Sequence, residues 1–185
     1  SAIAFEPYAF KRDRYYFSPY VYKENGQISA VDLGFEEYHY FTMDWYQIPK
    51  ELERPLWSEP YFDEGGGNII MTTYSVPLFR KVNNERKFIG ILTADISLDW
   101  LQEIISEIKV YETGYAFLIS KTGTMITHPN KDLIMNETIF SIASEAENDD
   151  LREIGRSMIR GESSFTEIEY YNVADGKLSW ISYAP

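Results

Sequence analysis

Along this sequence a β-hairpin signature, an intervening segment and a second hairpin signature follow one another, and then the same succession starts again. Tyr20-Val21-Tyr22 and residues 27–33 flank Glu24-Asn25-Gly26, where Asn-Gly readily supplies the positive φ angles of a two-residue turn. Residues 69–79 and 88–97 are β-rich runs separated by the polar segment 80–87, which predicts a second, longer hairpin with Pro77 near a strand end or edge. Leu98, Leu101, Ile104, Ile105 and Ile108 then recur at helical spacing, with Ser97 placed to cap and Asp99 in the first turn, and predict a helix over 98–110. Residues 115–120, Lys121-Thr122-Gly123 and residues 124–128 repeat the strand, glycine turn and strand. A helix over 149–159 follows, with Gly161 near its end, and residues 163–171 and 177–183 around Asp175-Gly176 form a fourth hairpin. The pattern predicts an α/β (α+β) chain of two modules, residues 1–110 and 111–185. Each is an antiparallel sheet with flanking helices, and the 98–110 helix joins them.

The 185 residues, 44% of them hydrophobic, can bury a real core. Seventeen basic against 29 acidic residues leave a formal charge of -12, which repels a phosphate backbone and an anionic membrane surface and argues against a nucleic-acid partner. The absence of cysteine excludes disulfides, zinc–thiolate sites and cysteine nucleophiles. No apolar run approaches the roughly 20 residues that span a bilayer, and no basic-then-apolar leader opens the sequence. Residues 179–183 still read as strand where the sequence stops, so the expectation is a piece of a longer chain that continues toward a membrane at either end.

Between residues 38 and 95 the sequence gathers Tyr38, Trp45, Tyr46 and Tyr61 with two acids, Asp63 and Asp95. Aromatic faces attract an ammonium by on the order of 0.5 to 2 kcal/mol per good contact, and a desolvated carboxylate adds charge complementarity. Asp95 ends the apolar run 88–94, where an unpaired carboxylate is costly unless a cation or hydrogen bond compensates it. Each residue also has a plainer reading. Asp95 suits a helix-entry role, Asp63 before Glu64-Gly65-Gly66-Gly67 suits a solvated turn, Trp57 suits sheet packing, and Met43 suits a simple apolar contact.

Other chemistries fit less well. Gly65-Gly66-Gly67-Asn68 lacks the following Lys-Ser or Lys-Thr of a phosphate loop, and reads as a flexible turn. His39 and His128, the only histidines, fall in different modules, which disfavours a Ser-His-Asp triad or a histidine metal site. Calcium near Asp63 and Glu64 would lack EF-hand spacing. A glycosidase using Asp63 and Asp95 is the enzymatic alternative, although no carboxyl is isolated in the way a raised pKa requires. Adhesion or dimerisation through tyrosine-rich surfaces is the third class.

Asp44-Trp45-Tyr46, residues 57–63, residues 71–77, residues 93–98 and residues 114–120, taken in that order, resemble the double Cache (dCache) sensor domains of bacterial and archaeal receptors. The resemblance spans nearly the whole chain. It implies two PAS-like modules outside the membrane, attached to a cytoplasmic output such as a histidine kinase, chemoreceptor, cyclase or phosphatase. It further implies that the membrane-distal module, about residues 8–108, carries the ligand pocket while the second module relays. One subgroup binds amino acids through a tyrosine, an arginine two residues before a Trp-Tyr pair, a Tyr-x-Asp and an aspartate in the strand before the connecting helix. Tyr38, Trp45, Tyr46, Tyr61, Asp63 and Asp95 match that pattern in order, but Met43 stands where the arginine belongs. The resemblance thus implies a pocket that keeps the amine half of its site and has lost the carboxylate half, and it shifts the balance for Asp95 toward ligand binding. The expected function is the extracytoplasmic ligand-sensing domain of a transmembrane receptor, with a sensor histidine kinase as the expected output, which binds rather than catalyses and uses no cofactor or metal. Its expected ligand is a methylated or quaternary amine, a biogenic amine or a polyamine. The alternative is an amino acid whose carboxylate is held by Arg54 or a backbone amide. By family analogy the receptor is expected to act as a homodimer.

Overall fold

The computed structural model describes residues 1–24, 26–65, 67–168 and 179–185. The chain divides into two compact units, Ser1–Ser97 and Leu98–Pro185.

In the first unit, β1 (Ile3–Phe5) is followed by the predicted first hairpin, β2 (Pro19–Glu24) with β3 (Gln27–Asp32); Asn25 of its turn lies outside the described residues. A 3-10 turn at Tyr40–Thr42 leads into α1 (Asp44–Leu52), a helix that the sequence does not announce. Its signal is weak because Met43 offers no side-chain cap and Pro49 stands inside the helix without an N–H. The helix forms because Trp45, Tyr46 and Pro49 bury on one side, where α1 packs on the sheet. Two short strands, β4 (Leu56–Trp57) and β5 (Tyr61–Phe62), precede the long pair β6 (Ile70–Val82) and β7 (Glu85–Ser97).

The five strands β1, β7, β6, β4 and β5 form one antiparallel sheet, with β1 on β7 at one side and both β4 and β5 on β6 at the other. Segment 80–87, expected as a polar connection, is mostly strand: the turn contracts to Asn83-Asn84, both at positive φ (52° and 67°). Asparagine tolerates that conformation, and a two-residue primed turn matches the twist of the strands it joins. Pro77 sits in the interior of β6 rather than at its end, opposite Ile91, at a point where the described pairings leave the other side of β6 open. That open side accommodates a residue that cannot donate. The core is built from Ala2, Ala4, Tyr20, Leu33, Tyr38, Tyr40, Trp45, Tyr46 and Ile91, so hydroxyl-bearing aromatics dominate it. Each buried hydroxyl needs a partner, and Tyr40 finds one in the Phe5 carbonyl at 2.7 Å.

In the second unit, α2 (Leu98–Ser106) stops short of the predicted 110 because Lys109–Val110 leave the helix to form β8, paired with β9 (Gly114–Tyr115). The next hairpin is β10 (Leu118–Ile119) with β11 (Met125–Thr127), and Gly123 takes φ 91° in its turn. Helix α3 (Ile139–Glu145) carries a capping box in which Thr138 and Ser141 exchange side-chain to backbone bonds; with serine in place of the usual Glu or Gln, its signal in the sequence is faint. Helix α4 (Asp149–Ile159) has the predicted bounds, with Asn148 as its cap. Strands β12 (Ser164–Ile168) and β13 (Ser179–Tyr183) pair as the fourth hairpin, whose Asp175-Gly176 turn lies outside the described residues. Met125, Ile139, Ala143, Leu151, Ile154 and Ile168 make this unit's core. Among the described residues, no helix is long and apolar enough to cross a membrane.

Candidate functional site

Strand β6 lies between β5 and β7, and acids from both flanks converge on one cavity of the first unit. Asp63 directly follows β5, and Asp95 lies on β7 opposite Thr73 of β6. The cavity is lined by Ala2, Ser18, Tyr20, Leu33, Tyr38, Trp45, Tyr61, Asp63, Thr93 and Asp95. Five of the seven residues nominated from sequence therefore share it: Tyr38, Trp45, Tyr61, Asp63 and Asp95. The space left between them holds about one water-sized group.

Asp63 occupies a turn, but its carboxylate is buried, with the residue only 4% exposed, so it is not the solvated acid of the plainer reading. Oδ1 accepts from the Tyr38 hydroxyl at 2.8 Å and Oδ2 accepts from the Gly67 N–H at 2.6 Å. The glycine-rich loop folds back over its own start: Asn68 N–H donates to Asp63 O at 2.8 Å, and Asp63 N–H donates to Ile69 O at 3.0 Å. A Cβ on Gly67 would stand 2.8 Å from Met71 Cε, the end of a flexible side chain, so the loop packs closely on β6 here.

Asp95 is held across the sheet. Its Oδ1 accepts from Thr73 Oγ1 at 3.0 Å, and Thr73 Oγ1 lies 2.8 Å from the Tyr61 hydroxyl. Its Oδ2 is buried with no hydrogen-bond partner among the described residues. The charged Ser1 amino group forms an ion pair with Oδ2 at 3.0 Å and also donates to Val21 O at 2.9 Å.

Burial keeps the lining phenols protonated. Tyr20 is pushed up to about 12, first by desolvation and then by the Asp95 and Asp63 charges. Tyr38 is raised by desolvation and by Asp63; Tyr61 is raised mainly by desolvation, against the Thr73 hydrogen bond. The cavity thus presents two carboxylates and three neutral phenols, and among the described residues no Lys, Arg or His lines it. Such a lining attracts a cation through both charge and ring quadrupoles.

Two nominated residues lie apart from the cavity lining. Tyr46 is completely buried, and its hydroxyl donates at 2.6 Å to Glu6 Oε1, which also pairs with Lys50 at 2.8 Å. Met43 packs against the core, where its sulfur accepts from Trp45 Nε1 at 3.1 Å. Its contact with the site's lining runs through the indole N–H of Trp45. Trp57 packs against Tyr74 across the β4–β6 pairing, with ring centroids 5.1 Å apart and planes tilted by 46°, outside the cavity, as sheet packing predicts.

Ser18, Tyr20 and Thr93 join the lining without having been nominated from sequence. Thr93 shares a strand face with Asp95, two residues on, so strand alternation could have linked that pair once one member was known, whereas Ser18 lies just before β2 and carries no such signal. Nothing in the sequence signals that β2 and β7 meet at this cavity.

Comparison with known proteins places these features in a family. Residues 1–103 match the family profile described as "Methyl-accepting chemotaxis protein-like, first PDC sensor domain", and residues 82–185 match "Cache domain". The methyl-accepting chemotaxis protein McpC of Bacillus subtilis (strain 168) is 32% identical over 114 residues, which are 60% of this chain and 17% of that protein. The crystal structure of the extracellular domain of mmHK1S-Z3, a protein assigned to the histidine kinases, aligns with a TM-score of 0.79 at 30% identity, covering 100% of this chain and 66% of that one. The ligand-binding domain of Mlp24, solved with asparagine, shares the fold at 21% identity and a TM-score of 0.54, covering 99% of this chain and 62% of that one. The chain thus spans under a fifth of the length of McpC and about two thirds of these solved domains. With both halves matched and an aromatic, acid-lined cavity in the first, this chain belongs to the Cache family of sensor domains, the kind carried by chemoreceptors and histidine kinases.

Proposed function

We propose that this chain is the extracytoplasmic ligand-sensing part of a transmembrane signalling receptor, and that the unit Ser1–Ser97 binds a small cationic amine. The observation that carries the reading is the cavity lining: Asp63 and Asp95 beside Tyr20, Tyr38, Trp45 and Tyr61, with no basic side chain among them. A histidine kinase output is favoured by the alignment with mmHK1S-Z3, and a chemoreceptor output by McpC. Membrane attachment and homodimeric pairing belong to the same proposal, through segments outside this sequence.

A second reading has support of its own. Mlp24 was solved with asparagine, and an amino acid carries the same ammonium group. It also carries a carboxylate, which two buried acids repel unless a donor holds it. Arg54 is exposed and absent from the lining, so the backbone N–H groups around the cavity would have to serve.

Ligand binding shifts a receptor only by the difference in affinity between its states. Asp95 lies on β7, which runs directly into α2 of the second unit, so a strand adjusted by ligand is continuous in sequence with the relay.

A thermal-shift screen against methylated amines, biogenic amines, polyamines and amino acids tests the reading, with Asp95→Ala as control. A ligand at about 100 times its Kd adds roughly 2.7 kcal/mol, enough to move the melting transition by several degrees. Stabilisation by carboxylate-free amines that vanishes in Asp95→Ala is the expected result. A response confined to amino acids selects the second reading, and silence in both sets rejects a cationic ligand.

A further inference from the structure

Two buried polar atoms on residues lining the cavity have no hydrogen-bond partner among the described residues: Asp95 Oδ2 and Ser18 Oγ. Ser18 is 0% exposed, and its main chain is fully engaged. Its N–H donates to Asp32 Oδ1 at 3.0 Å and its carbonyl accepts from Leu33 N–H at 2.8 Å. These bonds pin the backbone and leave the hydroxyl as the one polar group of the residue still to be satisfied. A buried acceptor without a donor costs stability, so Ser18 Oγ, together with an Asp95 Oδ2 whose one partner is the charged Ser1 amino group at 3.0 Å, marks a place suited to a cationic donor from outside the chain.

Resting on the amine reading above, we propose that Ser18 is a specificity-determining contact and that the cavity selects an ammonium bearing at least two N–H groups over a quaternary one. One N–H serves Asp95 Oδ2 and the other serves Ser18 Oγ. A trimethylammonium group can face the aromatic rings but has no proton to give, and would bury both oxygens unsatisfied. Size points the same way. The space between the lining residues suits a group about as large as a water molecule, which an NH3⁺ head matches and a trimethylated head exceeds. The Asp63 oxygens, each already holding a donor from Tyr38 or Gly67, supply charge rather than a vacant acceptor. The selectivity therefore rests on Ser18 and Asp95.

The test is a calorimetric titration of ethanolamine, its N,N-dimethyl derivative and choline, which carry three, one and no N–H groups on nitrogen. Ser1 should be joined to a preceding residue or acetylated, so that its nitrogen places no charge beside Asp95 Oδ2. Affinity is expected to fall at each step, by roughly tenfold or more from ethanolamine to choline, since hydrogen bonds to charged groups are the strong ones. Ser18→Ala should bring ethanolamine down to the level of the dimethyl compound and leave choline unchanged. The wild-type series stands without the variant if Ser18→Ala folds poorly. Choline binding as tightly as ethanolamine, or a Ser18→Ala loss equal for all three, overturns the role of Ser18 while leaving the amine reading intact. Binding of none of the three overturns the amine reading itself, and this inference with it.

Discussion

Thr73 Oγ1 donates to Asp95 Oδ1 across the β6–β7 ladder, at 3.0 Å between directly opposed residues. A carboxylate can only accept, and the threonine hydroxyl has a single proton, so the Tyr61 hydroxyl 2.8 Å away must donate to Thr73 in turn. A directed chain, Tyr61 to Thr73 to Asp95, therefore orients the acid and leaves its Oδ2 to the cavity.

Thr73→Val keeps the shape of this residue and removes the link. Asp95 Oδ1 and the Tyr61 hydroxyl both lose a partner in a largely buried setting, at a cost of about 1–3 kcal/mol. The urea midpoint should fall with the slope unchanged; a midpoint that stays where it was would show that the chain of bonds contributes nothing.

Alkaline pH should unfold the first unit through its phenols. Tyr20 and Tyr40 are pushed up to about 12, in both cases mainly by burial, against an ordinary value near 10. A raised folded-state value means that the native state favours the protonated phenol. This stabilisation is complete below pH 10 and is lost as pH rises from about 10 through 12. Melting temperature followed across that window should decline in step with phenolate absorbance, and Tyr20→Phe should decline less steeply than wild type.

Gly90→Ala should loosen β1. A Cβ at this position would stand 2.3 Å from the Ala4 carbonyl oxygen and 3.0 Å from Phe5 Cα, both backbone atoms that cannot yield without moving the strand. Overpacking of this kind costs about 1–3 kcal/mol. Ala2 N–H donates to Thr93 Oγ1 at 2.9 Å, so displacement of β1 reaches the cavity, and amine affinity should fall together with the denaturation midpoint. Loss of stability with full affinity would separate β1 from the site.

Met43→Arg tests whether the missing carboxylate half can be restored. Met43 contacts the indole N–H of Trp45, a residue of the cavity wall, and a longer cationic side chain from the same Cα has the reach to pass that edge. The variant should gain affinity for amino acids relative to carboxylate-free amines. Unchanged selectivity would mean that Met43 does not occupy the position where the arginine belongs.

Local physics makes much of this molecule legible in its residues alone. Helix α4 appears with its predicted bounds because periodic apolar residues, a capping asparagine and a following glycine all agree there. The hairpins appear where turn residues separate β-rich runs, and the polar segment 80–87 misleads only because charged side chains sit comfortably on the exposed end of a ribbon that turns at Asn83-Asn84. Residue chemistry offers Asp63, Asp95 and their aromatic neighbours as a cation site, and the family resemblance is what favours that reading for Asp95 over a helix-entry role. What the sequence could not contain was register and facing. Thr73 meets Asp95 because β6 and β7 pair in one register out of many, and a slip of one residue would turn Asp95 to the opposite face of the sheet. Tyr46 and Trp45 are adjacent in sequence, yet consecutive residues of α1 point about 100° apart. Trp45 therefore lines the cavity while Tyr46 turns to Glu6. Ser18 and Ala2 join the site only because β1 docks on β7, setting Ile3 opposite Leu92, and because Ala2 bridges to Tyr20 of β2. Composition and spacing determined which groups could serve a cation; tertiary pairing decided which of them share one cavity and which of their oxygens remain unsatisfied.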